Sequence, residues 1–126
     1  MHSNVHWHAF SYTGKERPRD SEARNPQSPT PPNDLNMWFR KPASMMASTF
    51  VQPHAAYGWL EHELLESPPP ETAVSIELHM QSARDALDRT ADVYVGYYTA
   101  HGRFLIRAVL TCPRPGEHCP APLTTP

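Results

Sequence analysis

The sequence predicts a small α+β domain: two short helices packed on a C-terminal β-hairpin, between a disordered Pro-rich N-terminal arm and a flexible C-terminal tail. Three observations predict it. Residues 93–112 are rich in β-branched and aromatic side chains on both sides of a turn marked by Gly102. Apolar residues recur at helical spacing in 54–66 and 74–89. The 15 prolines crowd the ends, five of them within the last fourteen residues. That share is well above the usual level of about 5%.

The expected organisation follows: a disordered arm over 1–36, a small α+β domain over 37–112 and a flexible Pro-rich tail over 113–126. Only eight of the first 36 residues are apolar, too few to offset the entropy of ordering the segment. Within it, Trp7, Phe10 and Tyr12 form a cluster suited to docking. Met37-Trp38-Phe39 is an apolar anchor that opens the folded part. Residues 43–51 are expected to be a short helix or irregular segment, broken before Pro53. The start at Met37, Met45 or Met46 of a shorter product is consistent with the composition break.

Pro53 suits the first turn of a helix, where no N–H is needed. Ala56, Leu60 and Leu64 then fall four apart, and Ser67-Pro-Pro-Pro70 ends the helix. Ile76, Met80, Ala83 and Leu87 share a second helical face over 74–89. The pairs Arg84–Asp88 and Asp85–Arg89 support it at four-residue spacing. A strand to Met80 followed by a short helix from Ser82 is the competing reading, because Val74, Ile76, Leu78 and Met80 also alternate.

Ala100-His101-Gly102 fits a three-residue hairpin loop. That register pairs Tyr98 with Phe104, Gly96 with Ile106 and Tyr94 with Ala108, and Gly96 is expected to admit a close helix. Both hairpin faces are largely apolar, so one of them is expected to meet another element or a second copy of the chain. Tyr97, Arg103, Leu105 and Arg107 are the candidate partner-binding residues, since Tyr and Arg dominate binding hot spots.

Net charge is −2 and unsegregated, which argues against nucleic acid and anionic membranes as partners. No apolar run is long enough to span a bilayer. The start has no basic n-region leading into an apolar stretch, so a cytoplasmic address is expected, with both cysteines as reduced thiols or ligands. Eight histidines could take the charge from −2 to +6 on full protonation. The five glycines are too scattered for a phosphate-cradling loop, and no spacing singles out a catalytic set, so an enzyme is not expected.

The leading functional reading is a non-enzymatic protein-interaction module, binding a protein partner or forming a homodimer through 93–112, with no cofactor. The alternative is a zinc-stabilised module. Cys112, His118 and Cys119 are spaced Cys-x5-His-Cys, and thiolate and imidazole are the ligands zinc prefers. Three ligands are local; a fourth, such as His79 or His101, has to come from the fold. Glu61-His62-Glu63 with Glu66 is the solvated face of a helix, and His2, His6 and His8 are incidental chelators in the arm.

Overall fold

A computed structural model describes residues 4–122. A four-stranded antiparallel sheet, ordered β2-β1-β4-β3, is built from β1 (His6–Gly14), β2 (Met46–Phe50), β3 (Val93–Tyr98) and β4 (Phe104–Cys112). Three helices join them: α1 (Asp20–Arg24), α2 (Pro53–Glu66) and α3 (Ile76–Asp88). Short 3₁₀ turns run over Leu35–Arg40 and Ala43–Met45.

The expected disordered arm is overturned. Its first half is β1, an inner strand paired with both β2 and β4. Average composition concealed this, because five of the eight apolar residues in 1–36 lie within 5–12. There they alternate on a strand, whose successive side chains take opposite faces. Trp7 and Ala9 join one core, while Phe10 joins the other. The second half is ordered by a buried cation. Lys41 Nζ donates to the carbonyls of Glu22, Asn25 and Ser28 at 3.0, 2.8 and 3.2 Å, and so holds the loop after α1. The hairpin is therefore only half of the sheet. The segment expected to be a helix or irregular stretch before Pro53 supplies edge strand β2 instead.

The sheet has two filled faces. On one, Ala56, Leu60 and Leu64 of α2 and Met80, Ala83 and Leu87 of α3 cover Trp7, Val93, Val95, Leu105 and Val109. On the other, Trp38, Phe39 and Met45 cover Phe10, Ile106, Ala108 and Leu110. The apolar anchor at Trp38-Phe39 is thus the lid of a second core. The tail also departs from the expected flexible segment: residues 113–122 fold back along this second face. Arg114 holds Asp92 through Nη1 at 2.7 and 2.9 Å, and Arg40 grips Glu117 in a bidentate pair at 3.0 and 2.7 Å.

The hairpin register is the one its turn dictates. Thr99 N–H donates to the Arg103 carbonyl at 2.7 Å, and Gly102 takes φ +80° in the three-residue loop. Gly96, however, faces away from the helices. Its missing side chain leaves room for the Ile106 methyl and the Tyr94 ring. Helix α3 runs through the ambiguous 76–88 stretch because the Ser75 hydroxyl accepts from Leu78 N–H and caps it. The helix ends with Ala91 N–H donating to the Ala86 carbonyl at 2.8 Å around Thr90, whose φ is +58°. A β-branched residue is costly in this left-handed position, where glycine is usual. Thr90→Gly is expected to stabilise the fold by about 0.5–1 kcal/mol, the relief of left-handed strain exceeding the entropy cost of glycine. A higher midpoint in urea denaturation checks this.

Candidate metal centre

Strand geometry assembles the site. His6 and His8 are two apart on β1, so both project to the second face. The β1–β4 register sets His6 opposite Cys112, and the β1–β2 register sets His8 opposite Thr49. After Cys112 the chain turns, with Glu117 N–H donating to the Arg114 carbonyl at 3.1 Å and Gly116 at φ +77°. Glycine at Gly116 meets the left-handed geometry without a Cβ penalty. The turn returns Cys119 to the β1 histidines.

The outcome is four donor atoms, from His6, His8, Cys112 and Cys119, all within 4.8 Å of one another. The two Nε2 atoms are 3.2 Å apart; Cys119 Sγ is 3.3 Å from His8 Nε2 and 3.5 Å from His6 Nε2. Zinc bonds of about 2.0–2.3 Å in a tetrahedron imply edges of about 3.3–3.8 Å between donors. The three measured edges lie at that scale. His6, His8 and Cys112 are 4%, 0% and 2% exposed, whereas Cys119 is partly open to solvent.

Outer contacts aim the rings. His6 Nδ1–H donates to the Asn4 carbonyl at 2.7 Å, which leaves its Nε2 lone pair directed inward. His8 Nδ1 lies 2.9 Å from the Thr49 hydroxyl. With Thr49 as acceptor, His8 Nε2 is likewise a free donor of electrons to a metal. The Phe39 ring packs against His8, the rings perpendicular with centroids 5.8 Å apart. Burial, reinforced by the neighbouring His6, pushes the His8 pKa down to about 4, so this imidazole is neutral at ordinary pH. Burial, then the neighbouring Cys119, pushes the metal-free Cys112 thiol up to about 12. A coordinated ion reverses that preference, since a coordinating thiol is deprotonated outright. Outer-sphere partners of this type are worth 10–100-fold in metal affinity. Thr49→Ala is therefore expected to weaken zinc binding by about 10-fold or more, with Thr49→Ser restoring it, in competition titrations against a chromogenic chelator.

The other residues singled out in the sequence are elsewhere. His118 is exposed, one residue before Cys119, and is outside the cluster. His79 packs against Tyr97 on the helix side, ring centroids 5.6 Å apart, and His101 is exposed at the hairpin tip. His62 and Glu66 pair at 3.6 Å on the solvated face of α2. His2 lies outside the described residues. Of the four candidate partner-binding residues, Arg103 is exposed beside the hairpin loop. The other three face α2 and α3: Leu105 is fully buried, Arg107 is 7% exposed, and the Tyr97 hydroxyl donates to the Ser67 carbonyl at 2.7 Å.

Sequence reasoning set His6 and His8 aside as incidental chelators and did not join them to Cys112 and Cys119. The signal was present as His-x-His in an alternating Trp7, Ala9 setting, which reads as a strand with both imidazoles on one face. No protein-family model, curated protein or solved structure matches this chain.

Proposed function

We propose that this chain is a small zinc-stabilised module, with His6, His8, Cys112 and Cys119 as a closed tetrahedral ligand set. The observation that carries the reading is the mutual spacing of the four donor atoms, within 4.8 Å, at the ends of strands and a tail far apart in sequence. Two thiolates and two imidazoles form a borderline-soft set characteristic of zinc. All four positions are filled by protein, so the metal acts as a cross-link and leaves no open position for catalysis. A two-iron cluster with two histidines and two cysteines carries them on different irons. The His–Cys edges of 3.3 and 3.5 Å fit a single ion better.

The cross-link joins the first strand to the tail, bridging 113 residues between His6 and Cys119. A module of this size buries a limited core, and a structural metal is one of the means by which small folds gain stability.

A competing reading needs no metal. If the Thr49 hydroxyl donates to His8 Nδ1, then His8 Nε2–H can donate to His6 Nε2 across the 3.2 Å gap, and protons link the cluster. Native mass spectrometry of the reduced protein, purified without added chelator, separates the two. One zinc per chain is the expected result. A metal-free chain that also fails to take up added zinc overturns the proposal in favour of the proton-linked cluster.

A further inference from the structure

The four ligands differ sharply in access. His6, His8 and Cys112 are buried, and only Cys119 is partly open to solvent. The two sulfurs are also within 4.8 Å of each other, with the turn at Arg114–Glu117 folding one back toward the other. A disulfide needs about 2.05 Å, so the sulfurs must close by less than about 3 Å. The groups that pin the tail, Arg114 on Asp92 and Arg40 on Glu117, are independent of the cysteines and keep the tail in place during that movement.

We infer that the metal centre is a peroxide-responsive switch in which Cys119 is oxidised first, buried Cys112 resolves it as a disulfide, and the zinc is released. The inference rests on the zinc reading of the site. In the first step the Cys119 thiolate attacks hydrogen peroxide: an S–O bond forms, the O–O bond breaks and hydroxide leaves, giving the sulfenic acid. In the second, the Cys112 thiolate attacks the Cys119 sulfur: the S–S bond forms, the S–O bond breaks and a second hydroxide leaves. The two sulfurs together lose two electrons to one peroxide. A disulfide no longer supplies thiolate ligands, so His6 and His8 alone hold the ion and it dissociates. A dithiol reductant returns both electrons and restores the site.

The order of attack comes from burial. Oxidant reaches a solvent-accessible thiolate first, and a second cysteine within reach then condenses with the sulfenic acid. Reversal of the roles would require peroxide to enter the second core to reach Cys112, which is 2% exposed.

The test uses the full-length, reduced, zinc-loaded protein titrated with hydrogen peroxide. Released zinc is read with a chromogenic chelator, and Cys112–Cys119 linkage is read by peptide mass. One zinc released per disulfide formed is expected, with full recovery after dithiol reduction and zinc addition. A dimedone trap added with the peroxide is expected to label Cys119 and not Cys112 in the wild-type chain. Cys112→Ser is expected to accumulate the Cys119 sulfenic acid. Zinc and both thiols surviving peroxide that oxidises free cysteine would overturn the switch and leave the zinc reading standing. Labelling of Cys112 ahead of Cys119 would overturn the order of attack. A reduced protein that never binds zinc sinks the underlying reading, a result visible before any peroxide is added. The wild-type trapping and mapping stand even if Cys112→Ser fails to fold.

Discussion

His8→Ala is expected to abolish stoichiometric zinc binding and to make the protein's stability insensitive to chelator. In the wild type, a metal present at about 100 times its Kd adds about 2.7 kcal/mol to the folded state. Chelation should therefore lower wild-type stability by about 3 kcal/mol, read as a lower denaturation midpoint. The alanine variant also creates a cavity, because His8 is fully buried. For that reason the decisive quantity is the difference between loaded and chelated protein, which cavity formation alone does not change. That difference is expected to vanish in His8→Ala. If the variant keeps the wild-type response to chelator, His8 is not a ligand.

The location of the loss is as specific as its size. α2 and α3 pack on the face of the sheet opposite the His6–His8–Cys112–Cys119 cluster, around Leu60, Leu64, Met80 and Leu87. Under the zinc reading, removing the ion is expected to leave that core intact. The tail over 113–122 and the start of β1 meet on the metal face, so faster amide exchange should appear there first. Uniform loss of protection across the helices would instead mean that the metal is required for the whole domain to fold.

What could be read from the chain tracks how local each interaction is. The hairpin was legible down to its register because its turn residues and both strands lie within twenty residues. Helix α2 was legible because Pro53 starts it, Ser67-Pro68 stops it and its apolar spacing is internal. Strand β1 carried a local alternation that the polar average of the arm outweighed, and its pairing was not legible at all, since its partner β4 lies about a hundred residues away. The candidate metal centre inherited the same difficulty. Cys112 and Cys119 were picked out by chemistry, but sequence proximity suggested His118 as their companion. A sheet register instead supplies His6 and His8, which are closer in space than the residue adjoining Cys119. The β1 histidines were discounted because the arm looked unable to fold. Its ordering depends on Lys41 reaching three carbonyls between 13 and 19 residues upstream, another non-local contact.

The same lesson applies to Arg107, which pattern alone assigned to a binding surface. Its side chain is 9% exposed and lies beneath α2. Nε donates to Glu63 at 3.0 Å, and Nη1 donates to the Tyr12 carbonyl at 2.9 Å and to Thr13 Oγ1 at 3.2 Å. One guanidinium thus ties α2 to the end of β1 far from His6 and His8. Arg107→Ala strands the Glu63 carboxylate against the helix–sheet interface and leaves a carbonyl without this donor. Breaking a buried pair by removing one partner costs about 3–5 kcal/mol. Glu63 retains 25% side-chain exposure, so water relieves part of the penalty and the cost should fall near about 3 kcal/mol. That is a large share of the roughly 5–15 kcal/mol that holds a typical domain together. Replacing both partners with apolar residues, Arg107→Met with Glu63→Leu, removes the stranded charge and is expected to recover most of the loss. Urea denaturation of the two single variants and the double variant measures the coupling directly. Near-additive losses would show that the ion pair does not hold α2 to the sheet. A double variant more stable than either single one would show that it is the unpaired charge that destabilises the fold.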